Sequence, residues 1–274
     1  MNRNYYSVLM SVYDGDYPEF LKQSMESIFV QTAPTDDFVL VCDGQLTDDL
    51  NRVLNDYSNS YKSLHIVRMS ENKGLAEALN FGLGFCKHEI VARMDSDDIA
   101  MPHRIERQLA KLDGVAVLGS AVLEFHHSVN DAKTLRITPS ENSEIHKFAK
   151  RRNPFNHPSV MFRKSAVLEV GGYEKFMLCE DYQLWIKILM SGGKGKNIPE
   201  PLLYMRVGSG LYERRGGYSY FKTMHSFRRW LRQINFITSI DYFVLVLAHA
   251  ISCVVPTGLR GILYGRFLRN VKVE

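Results

Sequence analysis

From Ser7 to Asp95 the chain alternates runs of apolar, β-branched residues with segments whose apolar residues recur at helical spacing. That alternation is the pattern of βαβ units, which assemble into a mostly parallel sheet with helices packed on its faces. SVLMSVY (7–13), DFVLVCDG (37–44), LHIVRM (64–69) and EIVARMD (89–95) read as strands. PEFLKQSMESIFVQT, TDDLNRVLNDYSNSY and NKGLAEALNFGLGFC read as helices, with Pro18 at a tolerated first-turn position and Gly82 on a face suited to close packing. The fourth strand runs into ARMDSDD, where Asp95, Asp97 and Asp98 fall within four positions. Like charges that close repel. Two arrangements offset the repulsion: a solvated turn that caps the next helix, or a hard divalent cation, which takes oxygen ligands and shares them with substrate phosphates. Location favours the cation, because open α/β sheets bind ligands beyond the carboxyl ends of their strands. Asp43, at the end of the second strand, opens onto the same crevice.

With 274 residues, 45% of them hydrophobic and 23% charged, the chain can build one large domain or two small ones. After Gly114 the pattern loosens to α+β, with VAVLGSAVLEF and SVMFR as strands, a helical stretch near 141–151, and CEDYQLWIKILMSG as an amphipathic helix. No internal repeat and no low-complexity linker interrupts this part. Residues 1–219 are therefore expected to form one domain of two halves meeting near residue 113, followed by a tail at 220–274.

The net charge of +4 is mild, and no nucleic-acid partner is expected. The positive charge gathers at the end: Arg228, Arg229, Arg232, Arg260, Arg266, Arg269 and Lys272 stand against Asp241 and Glu274. Within that tail lies the apolar segment DYFVLVLAHAISCVVP (241–256). About 14 residues of helix cover roughly 21 Å, short of the ~30 Å hydrocarbon core, so it is not expected to span a membrane. It reads as an interfacial segment on an anionic cytoplasmic leaflet, or else as a core helix or a dimer contact. Cys42, Cys86, Cys179 and Cys253 have neither disulfide-framework nor zinc spacing. Reduced thiols, and an N-terminal stretch that reaches acidic residues before any signal-length apolar run, give a cytoplasmic expectation.

Seven segments occur in order: SVLMSVYDGDYPEFLKQSMESIFVQT, VLVCDG, NKGLAEALNFGL, ARMDSDD, NHPSVMFRKSAV, GGY and CEDYQLW. Together, over about residues 5–210, they closely resemble inverting glycosyltransferases of family 2 with the GT-A fold. RRGG at 214–217 adds a likeness to bacterial enzymes that build O-antigen or capsule repeat units on a lipid carrier. The resemblance implies an α/β, Rossmann-like GT-A sheet that binds a nucleotide sugar in the first half, a smaller α+β acceptor half, and a C-terminal helical tail.

It also implies roles for individual residues. Asp95 and Asp97, with Ser96 between them, would meet the ribose and a Mn²⁺ or Mg²⁺ ion bridging the nucleotide diphosphate. Ser11, Val12, Tyr13 and Asp43 would line the base pocket, and Asn72, Lys73 and Gly74 would lie against the nucleotide sugar. Many members carry two adjacent aspartates at the second strand end, where this chain has Cys42 and then Asp43. Asp181 would be the base that deprotonates the acceptor hydroxyl, with Glu180 as its partner, and His157 would face the acceptor or the diphosphate. Trp185 is placed to stack on a sugar face or to fill the core. Arg206, Arg214 and Arg215 suit phosphate recognition or a solvated basic loop. Processive relatives carry QxxRW where this chain has SFRRW at 226–230, with Ser226 in place of Gln.

The implied activity is inverting transfer of a single hexose from a UDP-sugar to a polyprenyl diphosphate-linked saccharide. It would be metal-dependent and take place at the cytoplasmic face of the inner membrane, with a homodimer compatible. Two other classes remain open at this point: a sugar-nucleotide pyrophosphorylase, although YDGDYPE lacks the Gly-rich basic loop expected of one, and a non-catalytic membrane-associated nucleotide-binding scaffold.

Overall fold

The computed structural model of the chain describes residues 5–176, 178–208 and 217–254, with backbone alone for 251–254. The first half runs β1 (Tyr6–Val12), α1 (Pro18–Phe29), β2 (Asp37–Cys42), α2 (Asp48–Ser60), β3 (Leu64–Arg68), α3 (Leu75–Leu83) and β4 (Ile90–Met94). The second runs β5 (Ile99–Ala100), α4 (Arg104–Leu109), β6 (Val117–Phe125), β7 (Thr134–Arg136), α5 (Asn142–Ala149), β8 (Met161–Arg163), α6 (Lys164–Glu169), α7 (Glu180–Met190) and β9 (Gly195–Arg206). A helical pair, α8 (Gly217–Gln233) and α9 (Ser239–Val254), follows.

Both halves share one sheet of order β3-β2-β1-β4-β8-β6-β9-β5, with β7 beside β6. The strands from β3 to β4 are parallel, whereas β8 runs antiparallel to both β4 and β6. The sheet is covered on both faces, which is why β1 and β2 are apolar at most positions on both faces. Val8, Met10, Phe38 and Leu40 bury toward α1, α2 and α4, while Leu9, Val39 and Val41 bury toward α3 and α7. Gly82 explains how closely α3 sits: a Cβ there would lie 2.5 Å from Leu9 Cδ1 and 2.6 Å from Val41 Cγ2.

The register aligns Val12 with Cys42 and Met10 with Met94, so the residues after β1, β2 and β4 emerge along one rim. On the α3 side, α8 closes the core by setting Phe227 against Phe176 and Tyr182 at 5.3 and 4.5 Å between ring centroids. β9 has no counterpart among the strands expected from sequence, since GKNIPEPLLYMR carries Pro199 and Pro201 within its length. The sheet accommodates them at a register shift opposite Ser120 and Ala121, and a bulge is where a strand tolerates proline.

Candidate active site

The acidic turn lies between β4 and β5 and is held from two sides. Ser24 Oγ on α1 donates to the Asp95 carbonyl at 2.6 Å. At the end of β9, Arg206 donates from Nε to the Asp97 carbonyl at 2.9 Å and from its backbone N–H to Asp98 Oδ1 at 2.7 Å. So constrained, one carboxylate oxygen from each of Asp95, Asp97 and Asp98 lies within 4.8 Å of the others. Burial, and then the neighbouring carboxylates, raise the Asp97 and Asp98 carboxyls above the ordinary aspartate range. Ser96 Oγ donates to Asp16 Oδ2 at 2.9 Å and so brings a fourth acid to the rim, which burial also raises. Asp98 Oδ2 is buried without a hydrogen-bond partner. Clustered hard oxygens, one of them unpartnered, fit Mg²⁺ or Mn²⁺ and not a thiolate-seeking ion.

Asp43 follows β2 and is 4% exposed. Its two carboxylate oxygens accept from the backbone N–H groups of Lys73 (2.7 Å) and Gly74 (2.9 Å). This clamp draws the 72–74 segment onto the rim. Gly44 permits the approach, with φ +88° and only 2.6 Å between a hypothetical Cβ and Asn72 N. The residue that caps α3 is Gly74, so Asn72 is left out of the cap and exposed beside Lys73. From β1, the Val12 carbonyl accepts from Asp43 N at 2.8 Å, Ser11 is partly buried, and Tyr13 is exposed.

On the α3 side of β4, Asp181 stands in the first turn of α7 beside Glu180. Asn153 Nδ2 donates to Asp181 Oδ2 at 2.5 Å, and Asn153 Oδ1 accepts from Phe155 N at 3.2 Å. Burial raises both the Asp181 and Glu180 carboxyls, and the Asn153 hydrogen bond partly opposes this at Asp181. Arg93, which precedes the acidic turn on β4, is 2% exposed, with Nη2 donating to Asp95 Oδ1. Its charge lowers the Asp97, Asp98 and Asp181 carboxyls alike, against the larger effect of burial.

His157 Nε2 lies 3.1 Å from the Tyr173 hydroxyl. Burial, then the nearby Arg93 charge, holds its imidazole neutral. Trp185 is a correction: it is fully buried and ringed by Phe155, His157, Phe162 and Tyr173, with no face open to a sugar. Arg206 also departs from a loop or phosphate role. Its guanidinium stacks on Phe20 and Phe125, 3.8 and 4.4 Å from the ring centroids, and it donates to Gln23 as well as to the acidic turn. Arg214 and Arg215 lie outside the described residues.

Sequence reasoning missed Arg93, Asp16, Asn153 and Tyr173. Arg93 had a signal as a charge inside an otherwise apolar strand, and Asp16 and Tyr173 stood within the segments YDGDYPE and GGY.

Comparison with known proteins gives the family and the fold. A family model described as Glycosyl transferase family 2 matches residues 7–175. The chain is 39% identical over 246 residues to the amylovoran biosynthesis glycosyltransferase AmsE of Erwinia amylovora, covering 88% of this chain and 91% of that one. It is 37% identical over 272 residues to the UDP-Gal:alpha-D-GlcNAc-diphosphoundecaprenol beta-1,3-galactosyltransferase of Escherichia coli, covering 97% of each. Among solved structures it is similar in fold to the mannosyltransferase PcManGT of Pyrobaculum calidifontis in complex with GDP-Man and Mn²⁺, with a TM-score of 0.65 and 16% identity over 96% of this chain and 75% of that one. S. aureus TarS 1-349 in complex with UDP-GlcNAc gives a TM-score of 0.63 at 14% identity over 96% and 71%. The fold is GT-A, and the chain belongs to glycosyl transferase family 2.

Proposed function

We propose that this chain transfers a single hexose from a UDP-sugar, with inversion, to a saccharide carried on a polyprenyl diphosphate. The observation that carries the reading is the cluster of one carboxylate oxygen each from Asp95, Asp97 and Asp98 at the strand rim, with an unpartnered buried oxygen on Asp98. The donor chemistry is supported by the UDP-Gal named for the Escherichia coli relative, and the acceptor by its diphosphoundecaprenol. Inversion needs a base on the side opposite the leaving group, and a carboxylate within hydrogen-bond reach serves. Asp181 takes the proton of the acceptor hydroxyl as the new carbon–oxygen bond forms, and the sugar–phosphate bond breaks with its electron pair leaving on UDP. Burial favours its protonated state and so makes Asp181 a stronger base than an exposed aspartate. Asn153 fixes the rotation of the carboxyl, with Glu180 beside it as partner. The neutral His157, with Tyr173, offers hydrogen bonds to the acceptor side.

A Mn²⁺ or Mg²⁺ ion held by Asp97 and Asp95 would neutralise charge on the departing diphosphate. Ser96 keeps the acidic turn closed by bonding to Asp16. Asp43, Ser11, Val12 and Tyr13 take the base, and Asn72, Lys73 and Gly74 lie along the nucleotide sugar.

Residues 1–219 serve as the transferase domain, divided near 113 into donor and acceptor halves, and 220–274 serve as a tail that rests on the cytoplasmic face of the inner membrane. No helix among the described residues is long and apolar enough to cross a membrane. Instead α9 exposes Ile240, Phe243, Val244 and Leu247, which share one helical stripe. An open groove between α5 and the start of α9 is lined by Lys147, Lys150 and Arg151 together with Glu144 and Asp241.

The reading is tested by thermal unfolding with a panel of UDP-sugars and Mn²⁺, followed by transfer to a polyprenyl diphosphate-linked saccharide. Stabilisation by one UDP-sugar, with transfer abolished by chelator, is expected. Stabilisation without any transfer would leave a nucleotide-binding scaffold.

A further inference from the structure

We infer that Arg93 is a donor-binding residue whose free guanidinium N–H groups take the terminal phosphate of the nucleoside diphosphate. The assignment rests on the transferase reading above. It starts from an imbalance in the free protein: Nε and Nη1 of Arg93 are buried and have no hydrogen-bond partner, although the residue is only 2% exposed. Leaving the N–H groups of a buried charge unpaired is unfavourable, and native structures rarely do so without a ligand or a functional reason.

Position narrows the ligand. Arg93 is tied through Nη2 to Asp95, the first acid of the turn, and its charge acts on the Asp181 carboxyl and the His157 imidazole. On the transferase reading, a group held at the diphosphate-binding acids that also acts on the base meets either the terminal phosphate or the hexose.

Charge decides between those two. Asp16, Asp95, Asp97 and Asp98 already crowd this rim, and a diphosphate entering it needs cationic groups in addition to a metal ion. A hexose brings only neutral hydroxyls. Arg206 spends its donors on the Asp97 carbonyl and Gln23 and stacks on two rings, and Arg104, beneath the turn, spends its own on Gln108, Met94 and the Arg93 carbonyl. Arg93 has donors to spare, and a guanidinium suits phosphate oxygens.

The test titrates UDP, UMP and a UDP-hexose into wild type, Arg93→Met and Arg93→Lys by calorimetry, each with Mn²⁺ and again in EDTA. Arg93→Met is expected to weaken UDP and the UDP-hexose by the same factor, about ten- to hundredfold, the scale of a charge-assisted hydrogen bond. UMP, which lacks the terminal phosphate, should change less than about threefold, and Arg93→Lys, which keeps the charge, should lose only part of the affinity. The UDP effect should persist in EDTA.

Equal loss for UDP and UMP, loss confined to the UDP-hexose, or loss that vanishes in EDTA would each overturn the assignment, the last because Arg93 would then act only by placing Asp95. If Arg93→Met does not fold, Arg93→Lys decides: unchanged UDP affinity overturns the assignment. A wild-type chain that binds no uridine nucleotide with Mn²⁺ would instead fail the transferase reading, and the assignment with it.

Discussion

Asn153 is the side chain that hydrogen-bonds Asp181 Oδ2, so with Asp181 as the proposed base it sets how that carboxyl would meet an acceptor. It donates to the ionised form and so holds the carboxyl lower than burial alone would. Asn153→Ala therefore raises the Asp181 pKa further. Transfer requires the ionised base, so the acid limb of the rate–pH profile should move to higher pH. kcat should fall about 10- to 100-fold, the scale of a misplaced reacting group, with UDP affinity nearly unchanged. An unmoved acid limb would reduce Asn153 to packing. Asp181→Asn should lower transfer by at least about 10²-fold with UDP binding intact, and near-normal transfer would remove Asp181 from the role of base. At this scale the sequence was readable where a motif is contiguous, as in DSDD and CEDYQLW. It was silent at Asn153, because a hydrogen bond spanning 28 positions leaves no local pattern. Trp185 misled for a related reason. Its place one turn after Asp181 is visible, but the direction it faces depends on four rings brought from β8 and the loops around it.

The acidic turn behaves as one element, and its protonation links stability to pH. The Asp97 and Asp98 carboxyls are raised in the folded state by burial and by one another, so the native protein holds protons that the unfolded chain releases. Below the ordinary aspartate range both states are protonated. As pH rises from there through the raised values, the native state must ionise buried, mutually repelling acids, and stability falls. Asp97→Asn removes one such group. Without metal, its Tm relative to wild type should improve between about pH 5 and about pH 8, by roughly 2–4 °C if the linkage is worth about 1 kcal/mol. Mn²⁺ should reverse the order by stabilising wild type more than the variant. A pH-independent difference would mean that Asp97 is not raised. The same scale separates legible from illegible elements. β1 to β4 were readable because strands in a sheet covered on both faces read as mostly apolar runs, broken only by single polar residues such as Arg93. β5 and β7 are too short to carry a period, and β9 hides behind two prolines that it accommodates by bulging against β6 between Ser120 and Val122.

At the scale of the whole molecule, the two surfaces that would meet a bilayer adjoin the catalytic side. Lys150 and Arg151 lie close enough to the start of α9 to lower the Asp241 carboxyl, after its hydrogen bonds to Thr238. The chain then runs from Arg151 through Arg152 to Asn153, which holds Asp181. An anionic membrane drawn to Lys147, Lys150 and Arg151, with the α9 stripe entering its interface, would bring a polyprenyl-linked acceptor to the side on which the proton is removed. The stripe is exposed enough to matter: Ile240 is 77% exposed, Phe243 69% and Leu247 64%. Flotation with phosphatidylglycerol vesicles checks this in two ways. Phe243→Glu with Leu247→Glu should abolish binding at any salt, since the apolar contact is lost. Lys150→Glu with Arg151→Glu should weaken binding at low salt and differ little from wild type at about 1 M, where the Debye length has shrunk to roughly 3 Å. Transfer to a water-soluble, short-chain acceptor should survive both double substitutions, because neither pair contacts Asp181 or the acidic turn. Equal flotation of wild type and the α9 variant would instead leave the stripe to a second copy of the chain, which sedimentation equilibrium would detect as a dimer lost on substitution.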